Sequence, residues 1–323
     1  MDNGLLLRSC LLPGVILMFP VTSVAAEPDD KDYIYTQIIY EVQNTGYSKS
    51  QNREQLTGEG LFLSVDYLDR GGFVVGQGNR NVSTRNDSVR SMEKSDFISG
   101  NVKFSFDKIP GKFSLRLDRH SIEDKSATLT RYFDNSFSTS RVQGQDDISS
   151  RSVLVSYISY RQDVYTDLAY STTRFHAQDR TLDDLDVSQI SPAIGASFNR
   201  RYDWMQCRAF FIRHDDSNRI AENTHTTSYL FKWTHWLQAP YYYPHNTQIA
   251  LRVGKALTPV DYDAGIVYTV PDVLTRALSV SATWKFTESL QALLFAGWEH
   301  YITTDGKDHY DGRTMYMNLS VLW

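Results

Sequence analysis

The chain has 323 residues, with 33 Lys and Arg set against 38 Asp and Glu, so its formal charge is −5 and dispersed. That balance excludes a nucleic-acid binder, which needs a clustered basic face. Two cysteines, Cys10 and Cys207, are too few for a disulfide-stapled scaffold. Arg8 precedes a broken apolar run from Leu11 to Val24, which ends in Ala25-Ala26 and an acidic start, Glu27-Pro28-Asp29-Asp30. A short apolar core followed by small residues predicts a cleavable secretory signal over residues 1–26, and a single β-domain over 27–323. The run is too short for a spanning helix. With Cys10 removed, no intrachain disulfide can form.

The mature chain alternates at period two almost throughout. A first strand is predicted over Tyr33–Asn44, with Ile34, Thr36, Ile38, Tyr40 and Val42 on one face. A polar loop, Thr45–Thr57, leads to a strand over Gly58–Asp69. Arg70-Gly71-Gly72 predicts a tight turn, because Gly accepts the positive φ such turns require, and a third strand then runs through Phe73 and Val75 towards Thr84. Further apolar rows follow: Ile98, Val102, Phe104 and Phe106; Phe113, Leu115 and Leu117; Ser152–Tyr160; Val164, Thr166, Leu168 and Tyr170. Strands through Ile190–Phe198, Met205–Phe211, Thr227–Leu237 and Thr247–Val253 come next. Lys255–Leu274 reads as one long loop, with Ile266–Val270 as an alternative strand. Two strands carry Leu278–Phe286 and Leu290–Trp298. The last segment, Gly312–Trp323, places Met315, Met317, Leu319, Val321 and Trp323 on one face and Thr314, Tyr316, Asn318 and Ser320 on the other.

About fourteen strands result, within a range of 12–16, each about nine to twelve residues long and joined alternately by tight turns and long polar loops. The long loops are Arg85–Lys94, Glu123–Ser150, Ala177–Ser188 and His214–Thr226. These features resemble Gram-negative outer-membrane β-barrels of the porin-like class, whose closing strand ends in an aromatic residue such as Trp323. The resemblance implies an all-β, transmembrane, antiparallel up-and-down barrel in the bacterial outer membrane. It also implies contact with outer-membrane lipid and lipopolysaccharide and insertion by the barrel-assembly machinery through Trp323, and it leaves room for a periplasmic partner. Tight turns would lie in the periplasm and long loops outside. The competing architecture is a soluble β-sandwich, which does not require alternating connections. Aromatics near strand ends, including Tyr33, Tyr67, Tyr160, Trp204, Trp236, Trp284, Trp298 and Trp323, fit interfacial girdles.

If the apolar rows face lipid, the lumen receives Lys103, Arg116, Asp118, Asp167, Arg208, Lys232, Arg252, Lys285 and Glu299, together with Asp66, Lys112 and His120. Mixed charge with a basic excess predicts a polar pore for small hydrophilic or anionic solutes, such as oligosaccharides. The plain alternative is that these groups fill and cross-link the barrel. Inward Tyr165, Trp204 and Tyr316 are either sugar-stacking rails or lumen filling, and filling is the commoner case.

No enzyme, cofactor or metal is expected. His214-Asp215-Asp216, with Asp179, Asp183, Asp184 and Asp186, offers residue types that outer-membrane proteases use, but a solvated loop explains them as well. Their spacing matches no defined calcium loop. Hydrophobic-solute channels of the class usually carry an N-terminal plug, and only Glu27–Asp32 precede the first strand. Three functions therefore stand: a channel, the membrane component of an envelope assembly or surface-polysaccharide exporter, and a surface-loop hydrolase.

Overall fold

A strand in lipid has no water to satisfy its backbone, so its sheet must close on itself. The computed structural model describes residues 34–50, 53–67, 70–83, 89–106, 109–128, 143–161, 163–177, 185–215, 224–237, 241–257, 260–261, 266–267, 272–303 and 306–323. For some strand residues, Asp118 and His120 among them, it describes the backbone alone. The strands are β1 (Ile34–Ser48), β2 (Gln55–Tyr67), β3 (Gly71–Ser83), β4 (Val89–Phe106), β5 (Ile109–Thr128), β6 (Gln143–Arg161), β7 (Val164–Ala177) and β8 (Leu185–Phe198). They continue with β9 (Asp203–His214), β10 (His225–Trp236), β11 (Pro244–Ala256), β12 (Val260–Asp261), β13 (Ile266–Val267), β14 (Val273–Lys285), β15 (Leu290–Ile302) and β16 (His309–Leu322). All but β12 and β13 form one closed antiparallel barrel of fourteen strands, each beside its sequence neighbour.

β16 closes the wall against β1, with Gln37 opposite Leu322 and Ser48 opposite Asp311. Trp323 finishes the seam: its N–H donates to Thr36 O at 3.0 Å, and Thr36 N–H donates to Trp323 O at 3.1 Å. Tight connections lie at the end of the barrel that holds Thr36 and Trp323, here the turn side. The longer ones lie at the loop side. At the first described tight turn Gly71 has φ 142, and a Cβ there would meet Asn101 O at 2.1 Å, so only Gly fits. At the turn between β6 and β7, Asp163 accepts from Arg201 Nε and Ser197 Oγ, both at 3.0 Å. These partners, Arg201 foremost, hold its carboxyl below the ordinary range.

The long strands depart from the sequence reading. β4, β5 and β6 run 18, 20 and 19 residues, into what reads as loops at Arg85–Lys94 and Glu123–Ser150. Apolar alternation stops where lipid stops, but ladder hydrogen bonds need no apolar side chains, so the pairing continues into polar sequence. Lys255–Leu274 is likewise not one loop: its ends belong to β11 and β14, and between them β12 pairs β13 over two residues.

The outer wall carries the apolar rows. Ile38, Leu61, Ile98, Leu117, Leu168, Ile194, Phe231, Leu251, Val280, Leu294 and Met317 are all exposed. Trp233 lies on this face, and its indole N–H donates to Asp203 at 3.0 Å, the half-apolar, half-wet arrangement of an interfacial aromatic. Trp204 departs from the predicted girdle. It lies over Gly195 and meets the buried Tyr165 edge-on at 5.6 Å, so it belongs to the interior.

Inside the wall, Phe62 folds over Gly76 directly opposite it. A Cβ at Gly76 would come within 1.9 Å of the Phe62 ring. Gly76→Val is therefore expected to cost about 1–3 kcal/mol by overpacking, read as a lower urea midpoint of the folded barrel. Phe62→Ala in the same chain should recover part of the loss. A midpoint unmoved by Gly76→Val alone would contradict this packing.

Candidate functional site: the barrel lumen

Side chains alternate across each strand, so the residues between the lipid-facing rows project inward. One paired row, Asp167–Ala193–Arg208–Leu230–Arg252–Ala277–Glu299, runs across seven strands of the wall. It brings together four of the residues predicted for the lumen. Arg208 Nη2 lies 2.5 Å from Asp167 Oδ2, with side-chain exposures of 1% and 3%. Tyr165 OH donates to the same carboxylate at 3.1 Å, and Arg208 Nη1 donates to Ser191 O at 3.4 Å. Further along, the Arg252 guanidinium lies 4.3 Å over the Phe210 ring, a cation–π contact. Glu299 accepts from Tyr301 OH at 2.7 Å.

The other predicted residues occupy the turn-side half. Lys103 Nζ is 3.5 Å from Asp66 Oδ1, and Arg116 Nε donates to Ser99 Oγ at 3.0 Å. Lys232 is half-buried, while Lys112 and Lys285 are exposed near the turn-side mouth. Asp118 and His120 lie on β5, and their side chains are outside the described residues. Tyr165 and Tyr316 are buried and committed to hydrogen bonds, Tyr316 OH donating to Glu41 at 2.8 Å. That arrangement is lumen filling rather than a stacking rail.

Several interior residues escaped the sequence reading. Glu41 and Arg80 are buried inward. Glu41 was visible in principle, since it shares the polar phase of the first strand with Gln37 and Gln43. Arg53 and Asp272 were hidden because both fall in segments that read as loops. Arg53 Nη2 is 2.7 Å from Asp272 Oδ2, and Arg53 Nη1 also donates to Tyr310 OH, which donates in turn to Asp272. The guanidinium lies 5.1 Å over the Tyr310 ring, and Tyr301 stacks on Tyr310 at 5.3 Å.

Around this network the loop-side interior is apolar. Tyr47, Leu56 and Val82 on one wall join Val187, Phe210 and Ile212 on the opposite wall, together with Tyr301 and Tyr310, in one continuous buried cluster. Leu230, Ala250 and Leu274 on β10, β11 and β14 carry the cluster round the inner wall between these two sides. Its signal in the sequence is a break in alternation: Ala209-Phe210-Phe211-Ile212 is apolar on both faces. His214 is part of this end. It is 2% exposed, and its Nε2 lies 3.2 Å from Leu257 O. Asp215 accepts from Asp186 N–H at 2.7 Å, tying the two loop bases together. Asp179, Asp183, Asp184 and Asp216 lie outside the described residues. No group of three or more metal-ligating side chains occurs among the described residues.

The chain matches no protein-family model and no curated protein. Its fold is similar to that of the CymD monoaromatic hydrocarbon channel, at 7% identity and TM-score 0.53, covering 91% of this chain and 89% of that one. It is also similar to a deletion mutant of the TodX monoaromatic hydrocarbon channel, at 11% identity and TM-score 0.50, covering 90% of each. At these identities the likeness is one of fold. The chain is a closed fourteen-stranded β-barrel with the apolar outer wall of a membrane-spanning one. Its outer wall is apolar enough to meet lipid, and its charged side chains are gathered on the inner face.

Proposed function

We propose that the chain is an outer-membrane pore for small hydrophilic solutes with a preference for anions, acidic oligosaccharides among them. The observation that carries this reading is the sign of the turn-side interior. Lys103, Lys112, Arg116, Lys232 and Lys285 line it against Asp66, Glu41 and the Asp167 already bound to Arg208. A cleft lined by one sign of charge focuses the field and enriches counter-ions, so an anion entering there meets a favourable potential.

Conductance of the refolded chain in a planar bilayer under a salt gradient tests the proposal. The expected reversal potential is that of an anion-preferring pore. Lys112→Glu with Lys285→Glu should move it towards cation preference. A potential insensitive to both substitutions would sink the anion reading. The buried apolar cluster at the loop side also favours a second reading, in which it narrows that end and the barrel is the membrane component of an envelope assembly that a partner opens. Silence of the isolated barrel, combined with co-purification of a periplasmic protein, would move the assignment to that reading.

A further inference from the structure

The outer wall has one feature that the pore does not use. Two outward paired rows, Val42–Met317–Leu294–Ala282–Thr247 and Asn44–Met315–Ala296–Val280–Ile249, cross β1, β16, β15, β14 and β11 side by side. Between them lies a groove of about 680 Å³. Its walls are apolar, and Ala282 and Ala296 keep it deep where larger residues would fill it. Four strand spacings make it about 19 Å long, against the roughly 15 Å depth of one leaflet. With strands tilted about 40°, it runs obliquely through the lipid.

The loop-side end of this sector is basic. The next outward row carries Arg313 beside Trp298, and the row after that carries Arg276, His300 and Asp311. Arg276 and Arg313 are exposed, and the Arg276 guanidinium lies 5.2 Å over the Trp298 ring. The acid of that row, Asp311, is met by Lys49 at 2.9 Å and by His300 at 2.7 Å. His309 adds a ring 6.1 Å from His300. The same level of β2 and β3 is different in kind, with Glu59, Gln77 and Asn79 facing out. Cationic side chains standing over an apolar groove at headgroup height complement an anionic headgroup on acyl chains.

We infer that this sector is a binding site for one phosphorylated, multiply acylated lipid of the loop-side leaflet. An acyl chain lies in the groove over Ala282 and Ala296, and the phosphate lies on Arg313 and Arg276. The site is independent of whether the lumen conducts.

The full chain is to be reconstituted in phosphatidylcholine vesicles doped with a bis-phosphorylated, hexa-acylated glucosamine disaccharide. It is then extracted in mild detergent and weighed by native mass spectrometry. One retained glycolipid per chain is expected. Arg276→Ala with Arg313→Ala should retain it about 30-fold more weakly, the factor for two arginines at an anionic lipid surface. Ala296→Phe fills the groove without touching the charges and should also release the lipid. All three positions face outward, and heat-modifiable gel mobility verifies that each variant is folded. Equal retention by the charge variant, equal retention of the dephosphorylated lipid, or a lipid-free dimer seated on this face would each overturn the inference.

Discussion

Asp167→Leu is expected to destabilise the folded barrel by about 3–5 kcal/mol, because it leaves the Arg208 guanidinium buried without its carboxylate. Both side chains are almost fully enclosed, the contact is 2.5 Å, and Tyr165 completes the site. Solvent therefore cannot replace the lost partner, as it does for an exposed pair. Arg208→Leu should cost a similar amount by stranding Asp167. The double variant should sit close to the parent, since a well-packed apolar pair avoids the desolvation penalty of both ions. Equilibrium unfolding in urea of the four proteins in lipid forms a complete cycle. Additive losses in the double variant, or single losses below about 1 kcal/mol, would mean that the two groups are not coupled as the geometry implies.

Asp272→Ala is the second large effect. Asp272 precedes β14, Arg53 lies between β1 and β2, and Tyr310 is on β16, so the three tie separate elements over the loop-side interior. Arg53 is 15% and Asp272 6% exposed, which places their attraction in a weakly screened setting. Removing the carboxylate withdraws about 3 kcal/mol from the closed arrangement alone. A two-state closure then shifts about a hundredfold towards the open form. In a planar bilayer Asp272→Ala is expected to show open steps far more often than the conducting parent. Arg53→Ala should resemble it, and combining the two should add little. An Asp272→Ala that remains folded and opens no more often than the parent would show that the apolar cluster narrows the mouth without the latch.

The wall of this protein was legible at period two. Rows such as Leu278–Val280–Ala282–Trp284 and Met315–Met317–Leu319–Val321 face lipid because the side-chain period of a strand matches the two environments it separates. The same alternation assigned Asp167, Arg208, Arg252 and Glu299 to the interior. It could not say that Asp167 and Arg208 meet, since 41 residues and two hairpins separate them. Nor could it say that Arg252 and Glu299 share their row. Pairing depends on register, and register accumulates around the barrel from turns that no local pattern specifies.

Sequence by itself determined the architecture: all-β, about fourteen strands, alternating connections, an apolar exterior and a charged interior. Each of these follows from local alternation and turn chemistry, which act over a few residues. The tertiary structure alone decided which charges pair, that β4 to β6 extend well past the lipid, and that His214 points inward. It also decided that Tyr47, Phe210 and Tyr310 share one buried cluster at the loop side, and that Arg276 and Arg313 stand over one groove of the outer wall. Those outcomes require residues far apart in the chain to be brought together, and closure of the sheet is the physical event that does so.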